Sequence, residues 1–251
     1  MRMTVAAALL ATTVAALTSA TALHAQTPPA ARSADAERYT ARQFYETTSF
    51  GMAAPSEFAF SRDGNSLLVS SDASGVINAY ALPLSGGAPV PLTRSTTTAN
   101  IPIAYFPDDD RMLYTADQGG NELNHLYVRA ADGSVRDITP GERLKANFHG
   151  FSADGRTIFV STNERNPQMF DLYAYDAQSF ERRMLFQNEG YLLGDVSRDG
   201  RHLALIKAHS SANNDLYLAE IGTDAAPRLI TEHQGNVSYD VYGFTPDSRT
   251  L

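Results

Sequence analysis

Cysteine and tryptophan are both missing from this chain of 251 residues, and Lys and Arg (20) are outnumbered by Asp and Glu (28). Without cysteine there is no disulfide, no thiolate-bound metal and no thiol nucleophile. The formal net charge of -8, with no Lys/Arg cluster, argues against a nucleic-acid partner, because phosphate binding requires a basic face. A Gly-x-Ser-x-Gly nucleophile elbow is absent too. His125, His149, His202, His209 and His233 show neither the i, i+4 nor the short-loop spacing of a zinc site, so no metal is expected. The pairs Gly86-Gly87 and Gly119-Gly120 open no helical pattern and read as loop turns rather than phosphate cradles. No cofactor is expected.

Long apolar runs are also scarce, and the one near the start reads as a targeting segment. Arg2 supplies a positive start, residues 5–17 are an uncharged Ala/Leu/Val run, and small residues follow at Ala20-Thr21-Ala22 and Ala25-Gln26. A membrane anchor requires about 20 apolar residues, and Thr12, Thr13, Thr18 and Ser19 interrupt this stretch. The expectation is a signal peptide over 1–25, cleaved after Ala22 or Ala25, and an exported, periplasmic or secreted product without a membrane span. Residues 26–38 are rich in Pro and Ala and read as a flexible leader. Thr40 with Gln43 has capping-box spacing and predicts a short helix, which Phe44 and Tyr45 are expected to pack onto the body over 39–251.

What the chain does have is a repeated phrase: an apolar residue, then Ser, Thr or Pro, then a tight polar turn. It occurs as Phe60-Ser61-Arg62-Asp63-Gly64, Phe106-Pro107-Asp108-Asp109-Asp110, Phe151-Ser152-Ala153-Asp154-Gly155, Val196-Ser197-Arg198-Asp199-Gly200 and Phe244-Thr245-Pro246-Asp247-Ser248. Asp and Asn bond their own backbone two residues on, and Gly takes the left-handed conformation, so each phrase marks a β-hairpin. The Asp108-Asp109-Asp110 triplet occupies the Asp-Gly position of its sister phrases, which favours a solvated turn over a calcium loop.

Each unit between phrases contains four strand-like runs, the content of a propeller blade. In the first unit these are Glu57 to Phe60, Ser66 to Ser70, Val76 to Leu82 and Pro89 to Thr93. Third runs carry Tyr80, Tyr127, Tyr173 and Tyr217 at one register, a repeat-wide position that suits packing between blades. A lone four-stranded sheet cannot bury both faces, so the units must stack, and a repeat of about 45 residues points to radial stacking. The expected fold is all-β: a β-propeller of four blades plus the start of a fifth in a truncated ring, with residues 237–244 as the fifth unit's first strand. A β-solenoid, with shorter repeats, is the structural runner-up.

Several segments resemble a known family. Tyr39-Thr40-Ala41-Arg42-Gln43-Phe44-Tyr45, residues 76–93, Tyr105-Phe106-Pro107-Asp108-Asp109-Asp110-Arg111 and Asn121-Glu122-Leu123-Asn124-His125-Leu126-Tyr127 look like the propeller of exported serine peptidases of the prolyl oligopeptidase family. The Ser-x-Asp-Gly turn also occurs in TolB-like and other WD40-like propellers. The resemblance implies a propeller that caps an α/β-hydrolase domain and limits its access to peptides. It places the Ser-Asp-His triad in that downstream domain and no catalytic residue in this chain. Its dipeptidyl peptidases hold a substrate amine with an acidic pair, for which the nearest candidate here, Glu164-Arg165, is a mixed pair. The competing function is a TolB-like protein-binding propeller.

The connections between second and third strands emerge on one propeller face. They carry Asp117, Asn121, Glu122, Asn163, Glu164, Arg165, Asn166, His209, Asn213 and Asn214, the candidates for contact with a substrate or a second domain. Ordinary polar loop tips are the alternative, because loops are polar by default.

Overall fold

The computed structural model describes residues 39–53 and 57–251, so the expected signal peptide (1–25) and leader (26–38) lie outside the described residues. The chain divides into a unit over 1–46 and one over 47–251. In the first, α1 (Ala41–Tyr45) has the expected capping box: Gln43 N donates to the Thr40 side chain, and Gln43 returns the contact to the Thr40 backbone. Within this unit the rings of Tyr39 and Phe44 meet edge-on with centroids 5.9 Å apart.

The second unit consists of four antiparallel sheets, each of four strands in sequence order. Blade 1 holds β1 (Phe50–Met52), β2 (Ser66–Ser71), β3 (Asn78–Pro83) and β4 (Val90–Pro91). Blade 2 holds β5 (Ile101–Tyr105), β6 (Met112–Ala116), β7 (His125–Arg129) and β8 (Val135–Asp137). Blade 3 holds β9 (Ala146–Phe151), β10 (Thr157–Asn166), β11 (Met169–Asp176) and β12 (Arg182–Phe186). Blade 4 holds β13 (Leu192–Val196), β14 (His202–Ser210), β15 (Asn213–Glu220) and β16 (Arg228–Leu229). Among the described residues no helix is long and apolar enough to cross a membrane.

One strand differs from the sequence reading. The run Glu57 to Phe60 forms a 3-10 turn (Glu57–Ala59) and an isolated bridge from Phe60 to Leu67. The partner of β2 is instead Phe50–Met52, registered on Val69, Ser70 and Ser71. With those positions taken, the later run is free to turn away, and Phe58 (φ −96, ψ 16) leaves the extended region.

Packing runs through the seams between blades. Leu68 and Ala79 of blade 1 meet Met112 and Tyr114 of blade 2. Leu113 and Leu126 of blade 2 meet Ile158 and Val160 of blade 3. Phe159 and Leu172 of blade 3 meet Leu203 and Leu205 of blade 4. Each fully buried aliphatic side chain here contributes about 1.5–3 kcal/mol, which neither sheet could obtain alone. The recurrent tyrosines keep their register opposite Val69, Tyr114, Val160 and Leu205. Tyr127, Tyr173 and Tyr217 each pack into the seam with the preceding blade, as the repeat implied.

The phrase builds one turn repeatedly. In blade 3, Ser152 Oγ donates to Asp154 Oδ1 at 2.6 Å, the same oxygen accepts from Arg156 N at 3.1 Å, and Gly155 N closes onto Ser152 O at 2.9 Å. The pattern recurs at Ser61/Asp63/Gly64 and Ser197/Asp199/Gly200. It recurs again at Thr245/Asp247/Ser248, where Ser248 adopts φ 60 in place of glycine. In blade 2, Asp109 caps Arg111 N at 2.9 Å and pairs with its guanidinium at 2.7 Å. Successive turns touch. A Cβ on Gly155 would lie 3.0 Å from Asp108 Oδ2 and 3.2 Å from Pro107, Ala153 N donates to Arg198 O at 2.8 Å, and Asp199 N to Ser248 Oγ at 3.2 Å. Before the fifth turn, residues 237–244 form no ladder and instead lie against blade 4, where Phe244 N donates to Asp195 at 2.7 Å and Tyr239 N to Asn214 at 2.9 Å.

Candidate functional site

The chain enters each blade's first strand from one face and leaves it toward the polar hairpin turn on the other. The loops between second and third strands therefore share a face with the crossovers between blades. All the candidate residues fall on this loop face, in three separate groups.

In the β6–β7 loop, Asp117 accepts from Gly120 N (3.2 Å) and Glu122 N (3.1 Å), and Asn121 accepts from Gln118 N (3.2 Å) and Leu123 N (3.0 Å). Both side chains are thus turned onto their own loop, as Asp and Asn favour. Glu122 sits at φ 61, a left-handed position that costs a non-glycine residue roughly 1–2 kcal/mol. Its exposed side chain borders a cleft of about 500 Å³ lined by Thr97, Thr98, Asp117, Asn124 and Lys145.

In the β10–β11 hairpin, buried Asn163 accepts from Lys145 N at 2.7 Å and so stitches the hairpin to the crossover entering its own blade. Arg165 grips the fully buried Asp171 through two bonds of 2.8 and 2.9 Å and donates to Asn188 O at 2.8 Å. Asn188 N completes the network by donating to Asp171 at 2.8 Å. Glu164 pairs with Arg182 at 2.7 Å, and Asn166 accepts from Gln168 N at 2.9 Å. Glu164 and Arg165, adjacent in sequence, therefore serve different partners.

At blade 4, His209 and His233 direct Nε2 to opposite oxygens of Asp215, at 2.7 and 3.2 Å. With Asn213 and Glu232 they border a cleft of about 600 Å³. Neither Asp215 nor His233 stood out in the sequence. The available signal was register: Asp215 lies two residues before the recurring tyrosine, where the sister blades carry Asn78, His125 and Asp171, all buried. Each ties its third strand to nearby loops or a neighbouring strand; Asn78 accepts from Ser95 N at 2.8 Å and His125 meets Asp137 at 2.8 Å.

One serine–histidine contact lies in the innermost part of blade 3, where His149 Nε2 is 2.9 Å from Ser161 Oγ. Ser161 is 1% exposed, and the imidazole is held by the Gly194 backbone rather than by a carboxylate, so no attacking group is presented. Burial pushes His149 down to about 4, which keeps it neutral. Among the described residues no group of His, Asp and Glu has a metal-binding arrangement.

No family model matches the chain. Over 189 residues, 74% of the chain, it is 30% identical to dipeptidyl aminopeptidase BIII of Pseudoxanthomonas mexicana, and the match spans 27% of that protein. Two solved structures are similar in fold. A prolyl endopeptidase superposes with a TM-score of 0.54 at 16% identity, over 70% of this chain and 28% of its own. A TolB protein of Agrobacterium tumefaciens superposes with a TM-score of 0.51 at 22% identity, over 74% of this chain and 62% of its own. The two structures show the propeller fold, and the sequence relative supports a propeller domain of a peptidase of the prolyl oligopeptidase family.

Proposed function

We propose that this propeller of the prolyl oligopeptidase family is the non-catalytic, substrate-gating part of an exported serine peptidase. The observation that carries the reading is the 30% identity to a dipeptidyl aminopeptidase over 189 residues. The chain spans about a quarter of that relative, 27%. In this reading the nucleophile and its partners belong to an α/β-hydrolase domain of the whole protein. There a serine attacks the peptide carbonyl, a histidine takes its proton and an aspartate orients the histidine. Peptide substrate and hydrolase domain are the two partners of the propeller. Its loop face, with the clefts beside Glu122 and His209, is the surface that meets them. Residues 1–25 direct export and are removed.

The test is the intact mass of the native protein, with and without a fluorophosphonate probe that labels activated serines. A species much larger than this chain that takes up one probe is the expected result. A species of about this size that stays unlabelled overturns the reading and leaves an exported binding propeller.

A further inference from the structure

The first blade has a feature that its sisters lack. Ala53 N donates to Leu68 O, and the next bridge along β2 joins Leu67 to Phe60. Leu68 and Leu67 are neighbours, whereas their partners are not, so the ladder of blade 1 is interrupted just where the 3-10 turn Glu57–Ala59 falls. The first strands of the other blades contain only short register shifts, between Pro102 and Ala104, Phe148 and Gly150, and Leu193 and Val196.

Phe58, in that turn, reaches residues of every other blade. The turn rests on β5 of blade 2. The Phe58 ring meets Phe151 of blade 3 edge-on at 5.2 Å, within an aromatic group completed by Phe106 and Phe148, each 5.2 Å from Phe151. The guanidinium of Arg198, in the turn of blade 4, lies 5.7 Å from its centroid. In radially stacked sheets a side chain touches non-adjacent blades only at the axis, where the first strands converge. Phe151 ends β9, Phe106 directly follows β5, and Arg198 belongs to a Ser-x-Asp-Gly turn, which places the contact at the hairpin end of the axis.

We propose that Phe58 is an axial plug that closes the hairpin-face end of the propeller, so that an extended peptide approaches the axis from the loop face alone. The closure rests on the contacts above, whereas its peptide specificity rests on the gating function proposed for the domain. An aromatic ring suits the task. It fills the space with a rigid body of only two torsions and is held by edge-on ring contacts and by a cation over its face.

Two readouts test this separately. The chain has no tryptophan, so Phe58→Trp introduces a single one, which is excited selectively at the red edge, apart from the 12 tyrosines. Iodide quenching several-fold weaker than that of free tryptophan is expected, and quenching equal to free tryptophan overturns the placement. In the full-length peptidase, Phe58→Ala is expected to raise kcat/KM for long peptides relative to short ones at least about five-fold, with Phe58→Trp restoring the ratio. An unchanged ratio in a folded, active Phe58→Ala enzyme overturns the plug and leaves the gating reading intact. A full-length protein without hydrolytic activity overturns the gating reading, and the quenching experiment then decides the plug alone.

Discussion

The two faces of the propeller solve the same problem, returning the chain between strands, by opposite means. On the hairpin face one turn is reused, closed by a carboxylate that never leaves its own five or six residues, as at Ser61/Asp63/Asn65 and Ser197/Asp199/Arg201. On the loop face the devices differ: Asp117 and Asn121 turn onto their own loop, whereas in blades 3 and 4 bonds also join segments farther apart, Asn163 to Lys145, Arg165 to Asn188 and His233 to Asp215. Local closure makes the hairpin face uniform and tolerant of single losses. Closure at a distance makes the loop face variable in chemistry and sensitive to them.

Substitutions can break that contrast. Asp171→Ala leaves the Asn188 N–H without its acceptor in a buried site, while the partly exposed Arg165 guanidinium can turn to water, and is expected to cost about 1–3 kcal/mol in a urea melt. Asp154→Ala, which removes a solvent-exposed carboxylate from a hairpin turn, should cost far less; equal losses would erase the distinction. Gly155→Ala is the exception on the tolerant face. Its φ of +69 and the approach of Asp108 and Pro107 predict a loss of about 1–2 kcal/mol or more, against about 1 kcal/mol for Gly120→Ala, where φ is +86 but the space is open.

Acid separates the regions in a different way. His149 has a folded value of about 4, below the ordinary 6.5. The unfolded chain therefore binds the proton first, and stability present above 6.5 is lost as pH falls from there toward 4. The turn carboxylates are also held low, Asp63 at about 2 by the Ser61 hydroxyl and the Asn65 amides, and Asp154, Asp199 and Asp247 in the same direction. Their contribution is retained until pH falls below the ordinary carboxylate range. Thermal melts from pH 7 to 3 should thus show a first decline that His149→Gln abolishes and a later one that it leaves in place. The smallest effect is expected for Glu164→Ala. Its ion pair with Arg182 is substantially exposed on both sides, so the change in stability should stay within about 0.5 kcal/mol. Unaltered peptide kinetics in the full-length enzyme would remove Glu164 from the candidate contacts.

The repeat was legible because its signals are local. A Ser-x-Asp-Gly phrase determines a turn without help from the rest of the chain, and the tyrosine register follows from strand alternation once the turns are fixed. Blade 1 misled for the same reason: Glu57 to Phe60 has the apolar content of a first strand, and only competition with Phe50–Met52 for β2 decides against it. The loop-face groups were legible as polar loops but not as partners. Nothing in the vicinity of His209 announces His233, and nothing beside Arg165 announces Asn188; each pair is made by the stacking of strands. Phe58 was hidden in the same way, since its partners lie in blades 3 and 4.

The clamp of Arg165 and Asn188 on Asp171 also bears on how this face would recognise anything. It joins the β10–β11 hairpin to the crossover leaving blade 3, while Asn163 joins the same hairpin to the crossover entering it. The hairpin is therefore fixed on both sides before a partner arrives. A ligand docking against it would restrict few additional torsions, so binding there should show a small entropic penalty and an association rate governed by encounter rather than by rearrangement.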